Sequence, residues 1–133
     1  MKKLIALPLS LLSLICFAQK IEVSPELAIQ SMSPAEVDLH MSQVANAVSQ
    51  SSPIRSDEIT TINRAFYLKS NKTLTYMVSL SEHRNAEDVA SSMRPSFCSG
   101  RTNKALMSKG VNYQYSVTTP RQSYNIIFSQ KDC

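Results

Sequence analysis

The apolar positions change period several times along the chain. Val37, Met41, Val44 and Val48 recur at steps of four, three and four, which is the stripe of one helix face. Just ahead, Ser33-Pro34-Ala35-Glu36 has the Ser-x-x-Glu spacing of a capping box with Pro at the first helical position. An amphipathic helix is therefore expected over 34–49, ended by the polar run Gln50-Ser51-Ser52-Pro53. A polar lead over 19–23 and a briefer helix precede it, with Ser24 as N-cap and Pro25 in the first turn. The period then shortens. Ile62, Phe66 and Leu68 share parity, with Arg64 breaking the alternation, and Ser70-Asn71-Lys72 makes a turn. Leu74, Tyr76, Val78 and Leu80 alternate with Thr73, Thr75, Met77 and Ser79. Two β-rich runs about a short polar turn predict a hairpin.

A polar loop over 81–85 leads to a second helical stretch over 86–99. Val89, Met93 and Phe97 share one face there, and Pro95 predicts a kink or a break. Arg101 to Ser108 adds a further helical turn or two, with Gly110 as the left-handed cap. Val111, Tyr113, Tyr115 and Val117 alternate again. After a turn containing Pro120, so do Tyr124, Ile126 and Phe128, which predicts a second hairpin. The order helix, hairpin, helix, hairpin gives an α+β class. The expected form is a four-stranded antiparallel sheet built from two hairpins, with the helices packed on one face.

The first residues set the expected address. Lys2 and Lys3 precede an apolar run from Leu4 to Ile15, and Cys16-Phe17-Ala18 follows. That is the layout of a secretory signal peptide over 1–18, cleaved between Ala18 and Gln19. The run is shorter than the roughly 20 residues a membrane span needs, and no later segment is apolar enough. Residues 19–133 then form a single periplasmic or secreted domain. Cys16 opens an alternative, an outer-membrane lipoprotein acylated at that cysteine, although Ile15 stands where a small residue is usual.

Two cysteines remain after cleavage, Cys98 and Cys133. In an exported chain this count reads as a disulfide, and closing a loop of that size contributes about 4 kcal/mol in the chain-entropy picture. A reactive thiol is the competing reading, but nothing near either residue resembles Cys-x-x-Cys.

Composition removes several chemistries. Gly100 and Gly110 are the only glycines, so neither a dinucleotide fingerprint nor a P-loop can be built. A Gly-x-Ser-x-Gly elbow is excluded for the same reason. The spacing of cysteines and histidines suits no structural zinc site. His40 and His83 are the natural acid–base residues, and both are read as surface or internally satisfied side chains. No enzyme, metal or cofactor is expected.

The formal charge of +4 includes the two leader lysines, and it is uneven. Residues 19–58 carry an acidic excess, whereas no acid occurs from Val89 to Lys131. The candidate partner-binding residues are Arg94, Arg101, Lys104 and Lys109 in this basic half, with Val37, Met41 and Val44 on the helix face. The other reading of the basic half is an ordinary solvated face. Nucleic acid is not an expected partner, because the excess is small and the chain is exported.

The second half also carries a recognisable series: Phe97-Cys98-Ser99, Leu106, Gly110-Val111, Tyr113, Tyr115 and a terminal Cys133. Ser52-Pro53-Ile54 and the strand Leu74–Leu80 precede it. Over about residues 50–133 the chain is similar to type II secretion pilotins of the AspS kind. It also resembles the quorum-sensing-regulated virulence factor family. The resemblance implies an α/β build with one disulfide. It further implies a lipid-anchored periplasmic domain that takes the helical end of a secretin on apolar anchors. The expected function is thus a non-enzymatic periplasmic binding or accessory module for an envelope or secretion complex. Its partner would be an envelope protein such as a secretin segment. The alternative is a secreted or periplasmic effector, inhibitor or immunity protein that occludes a target.

Overall fold

A computed structural model describes residues 25–133. The leader, Cys16, the Ala18–Gln19 junction, the polar lead and Ser24 lie outside the described residues. Helix α1 spans Pro25–Gln30 and α2 spans Pro34–Ser51. The capping box that starts α2 is complete. The Ser33 side chain accepts from the Glu36 N–H at 3.2 Å, and Glu36 Oε1 accepts from the Ser33 N–H at 2.7 Å. Strands β1 (Ile54–Arg55), β2 (Thr60–Leu68) and β3 (Thr73–Leu80) follow. Helices α3 (Ala86–Ser99) and α4 (Arg101–Ser108) lead to β4 (Asn112–Thr118), β5 (Ser123–Phe128) and a 3-10 turn at Gln130–Asp132.

The sheet has five strands in the order β1-β2-β3-β4-β5, which corrects the four-stranded expectation. The extra strand is two residues long and begins next to Pro53, too short to show any alternation. The sheet is also mixed. Both hairpins are antiparallel, but β3 and β4 run parallel, with Tyr76 opposite Tyr115. Alternation reports which face is buried and is silent on strand direction. Direction is set by the connection, and here α3 and α4 carry the chain back to the end where β3 began, as a parallel pair requires.

Register places Ala65, Tyr67, Leu74, Val78, Tyr113, Val117, Ile126 and Phe128 on one face. The helices pack on that face. Ser49 of α2 both donates to the Ala65 carbonyl and accepts from its N–H, at 2.7 and 3.0 Å. Tyr67 donates to Asp38 Oδ1 at 2.6 Å. From α3, Phe97 meets Tyr113 edge-on and stacks on Phe128, each with centroids 4.8 Å apart. Val37 and Met41 of α2, Leu74, Met107, Val111 and Phe128 are the largest fully buried side chains. Burying each is worth about 1.5–3 kcal/mol.

Three local features differ from the pattern. The parity of β2 changes at Asn63, where Ile62 faces Val78 and Arg64 faces Met77. This β-bulge puts Ile62 on the helix-covered face and turns Phe66 and Leu68 to the other. Helix α3 runs through Pro95 without a break; the proline leaves only the Ser91 carbonyl without its helical N–H. In β3, Thr73 and Thr75 are buried although they face away from the helices. A central strand is shielded by its neighbours on both sides, here by Phe66 and Gln114 at Thr75.

Gly110 caps α4 at φ +93°. Its N–H donates to Met107 and the Val111 N–H to Leu106, the paired bonds of a Schellman end. Cys98 and Cys133 form a disulfide that ties α3 to the chain beyond β5. Among the described residues, no helix is long and apolar enough to cross a membrane.

Candidate functional site

The helices do not cover their whole face of the sheet. Helix α2 packs along β2 near Ala65 and Tyr67, and the C-terminal end of α3 packs over β4 and β5. On the uncovered part lies a groove of about 580 Å³. Its floor is the sheet itself, formed by Ile62, Val78, Leu80, Tyr115 and Val117. One wall is the first half of α3, through Val89 and Met93. The other is the β1–β2 loop from Ser56 to Thr60. The volume falls within the range of binding clefts, which are mainly apolar with a few polar groups.

Both walls are pinned. Asp57 Oδ1 accepts from the Ile59 and Thr60 N–H groups at 2.9 and 2.8 Å. Arg55 donates to the Glu58 carbonyl at 2.7 Å, and the Ser81 N–H donates to the Ile59 carbonyl at 2.9 Å. The hydrogen bonds from Ile59 and Thr60 hold the Asp57 carboxyl below its usual range, so it stays charged. On the other side Asn85 caps α3 by accepting from the Asp88 N–H at 2.8 Å. The preceding loop is held to the second hairpin at two points. Tyr124 donates to the Arg84 carbonyl at 2.6 Å, and His83 Nδ1 lies 3.1 Å from Thr119 Oγ1.

The rim is charged. Asp57 and Asp88 stand on opposite walls. Arg84 also lines the rim, but its guanidinium is engaged by Glu82 at 3.7 Å and by the His83 carbonyl at 3.1 Å. Asp57 and Asp88 are both exposed there. On the floor Tyr115 stacks on Tyr76 at 5.1 Å, and burial pushes its phenol above the usual range, so it remains a neutral donor. The residues lining the groove include no histidine, cysteine or lysine. The arrangement suits a chain that offers apolar side chains and a cation. Among the described residues no group of three or more potential metal ligands occurs.

The residues singled out in the sequence lie elsewhere. Val37 and Met41 are each 1 % exposed inside the core, and Val44 packs against it. Arg101 pairs with Glu26 at 3.4 Å, and Lys109 donates to the Met32 carbonyl at 3.2 Å, so both hold α4 against the N-terminal helices. The Arg94 guanidinium sits 6.0 Å over the Phe128 ring, and Lys104 is exposed near Gln130 and Cys133. None of these lines the groove. His83 is used by Thr119, and His40 is half-buried on α2, away from the groove lining. The groove draws on four separated stretches of chain, and its sequence signal is slight: Val89 and Met93 share one apolar helix face.

No protein-family model matches the chain, and no curated protein matches it. Solved structures do. A Pseudomonas aeruginosa protein predicted to be secreted superposes with a TM-score of 0.62 at 20% identity, covering 77% of this chain and 97% of that one. EpsS, the pilotin of the Vibrio vulnificus type 2 secretion system, gives 0.64 at 16% identity, with 74% and 93% covered. AspS, the type II secretion pilotin of Vibrio cholerae, gives 0.59 at 20% identity, with 73% and 92% covered. Type II secretion pilotins, which the Phe97–Cys133 series resembles, are among the proteins that share this fold, and the likeness at these identities is one of fold.

Proposed function

We propose that this protein is a non-enzymatic accessory module of the bacterial envelope, exported by its first 18 residues and working by holding a protein segment in the α3–sheet groove. The observation that carries the reading is the open part of the helix-covered face. Val78 and Val117 already belong to the core there, yet Val89, Met93 and Tyr115 are only partly buried beside them. A helix presenting apolar residues at i, i+3 and i+4 fills such a slot. The Asp57 and Asp88 carboxylates favour a segment with Lys or Arg beside its apolar face. The pilotin neighbours make a segment of an outer-membrane secretion component, such as a secretin, the first partner to try.

The test is site-directed photocrosslinking in intact envelopes. A photoreactive residue at Met93 should yield a discrete protein adduct that the same residue at exposed Thr102 of α4 does not. Val89→Asp should abolish the adduct without unfolding the chain. Equal labelling from Met93 and Thr102, or no adduct from Met93, would overturn the reading.

A further inference from the structure

The two edges of the sheet are finished differently. On the β1 side the edge strand is two residues long, follows Pro53 and carries Arg55. Beyond it the bulge at Asn63 breaks the β2 edge, and Ser49 Oγ occupies both backbone groups of Ala65. Short strands, proline, charge and bulges are the usual ways of closing an edge to further pairing. Strand β5 has none of them. It is six residues long, Ser123-Tyr124-Asn125-Ile126-Ile127-Phe128, with no charge, no proline and a regular register against β4.

The pairing pattern shows which groups that edge presents. The Thr119 N–H donates to the Gln122 carbonyl at 2.8 Å, so Thr119 and Gln122 are a hydrogen-bonded pair. Antiparallel pairs alternate. Tyr124, Ile126 and Phe128 therefore spend their backbone groups on β4. Ser123, Asn125 and Ile127 aim an N–H and a carbonyl outward, and among the described residues no strand pairs there. The Ile127 side chain is 56 % exposed beside them.

Charge selects the occupant. Arg121 lies just before β5 and Lys131 just after it; both are exposed and neither forms an ion pair among the described residues. Arg94 stands over Phe128 on the helix side. Of the acids nearby, Asp132 turns its carboxylate back onto the Ser129 N–H at 2.7 Å, and Asp88 lies on the helix side near Tyr124. A second copy of β5 laid antiparallel about Asn125 would set Arg121 beside the Ser129–Lys131 end of the other copy at both ends of the ladder, which like charges oppose. We infer that the free edge of β5 accepts an extended strand from a protein partner, with an uncharged centre and acidic residues flanking it on both sides. This surface is separate from the α3 groove.

The experiment uses the disulfide-closed protein and two synthetic peptides. Both have the same alternating Thr-Val centre of about six residues, a typical strand length. One is flanked by Asp pairs and the other by Lys pairs. Amide hydrogen exchange and NMR titration should show the Asp-flanked peptide slowing exchange at Ser123, Asn125 and Ile127 by about tenfold or more, with little effect from the Lys-flanked peptide. Asn125→Pro removes one outward N–H and should abolish the protection. Ile127→Asp, which leaves the β4 pairing untouched and sets a like charge beside the acidic flanks, should weaken it as well and serves if the proline variant misfolds. Protection by both peptides alike, or by neither, overturns the inference. Protection that appears with protein concentration and no peptide also overturns it, in favour of a second copy of this chain.

Discussion

Phe97 of α3 stacks on Phe128 of β5 with centroids 4.8 Å apart, and the residue after Phe97 is joined by a disulfide to Cys133, five positions beyond Phe128. The same helix and the same sheet edge are thus held twice, once by packing and once covalently. The disulfide acts chiefly on the unfolded chain, and its 35-residue separation is worth about 4 kcal/mol there. The stack acts on the folded one. Cys98→Ser combined with Cys133→Ser should lower stability by up to about 4 kcal/mol and still leave a cooperative unfolding transition. Phe128→Ala, which empties a fully buried site, should cost about 3–5 kcal/mol. Denaturant titration of each variant and of the combination checks this. A reduced protein with no transition would show that packing alone does not hold α3.

The Tyr67–Asp38 bond spans 29 positions and anchors α2 to β2, with Lys72 Nζ 3.7 Å from the same carboxylate oxygen. Tyr67→Phe keeps the ring and removes the donor. It should destabilise by about 1–2 kcal/mol, because the partly buried carboxylate then has only the lysine. Burial, then the Asp38 contact, pushes the Tyr67 phenol well above its usual range. Ultraviolet titrations of the wild type and of Tyr67→Phe should therefore coincide through the range in which a free tyrosine ionises and part only above it.

Two carboxylates make the fold acid-sensitive. Glu36 is held below its usual range chiefly by the Ser33 N–H, and Asp57 chiefly by the Ile59 N–H and then by Thr60. A depressed folded pKa contributes stability above the unfolded value, and that contribution is lost as pH falls through the folded one. Glu36→Gln keeps the capping geometry without the charge. It and Asp57→Asn should each lose less stability than the wild type between about pH 7 and about pH 3. A steeper loss in either variant would contradict this assignment.

Gly110 sits at φ +93°, where an L side chain is strained, and a Cβ there would meet only the Lys72 side chain at 3.4 Å. The backbone, not crowding, sets the requirement. Gly110→Ala should cost about 1–2 kcal/mol, measured as a shift in denaturation midpoint. Gly100, at φ −71°, has no such requirement.

The mass of the protein recovered from its host tests the address. A chain starting at Gln19, and lighter before reduction by the hydrogens of one disulfide, fits a soluble module. A chain starting at Cys16 with acyl groups fits an anchored one.

Much of the fold was legible because local rules and tertiary packing agree. The Ser33–Glu36 box, the Gly110 cap, both hairpins and the helix-facing positions of β3 to β5 all follow from spacing. Three things were not legible. The parallel β3–β4 pairing depends on where α3 and α4 return the chain. β1 is too short to carry a pattern. The groove is assembled from α3, the β1–β2 loop and three strands of the sheet, a meeting that no single stretch of sequence records. Val37 and Met41 show the converse: an amphipathic stripe reads the same whether the core or a partner lies beneath it, and here the core does.

The bulge at Asn63 has a consequence beyond its local kink. Thr60 and Ile62 look onto the groove, while Ala65 and Tyr67 hold α2, and all four share one face although the two pairs differ in parity. The single extra residue acts as a phase shifter between a binding register and a structural register in one strand. Substitutions at Thr60 or Ile62 can retune the groove while α2 keeps its seat. Deleting Asn63 would remove the bulge and leave Thr60, Ile62, Ala65 and Tyr67 in simple alternation on one face, so the groove floor and the helix contact would keep their facing while the local bend between them is lost.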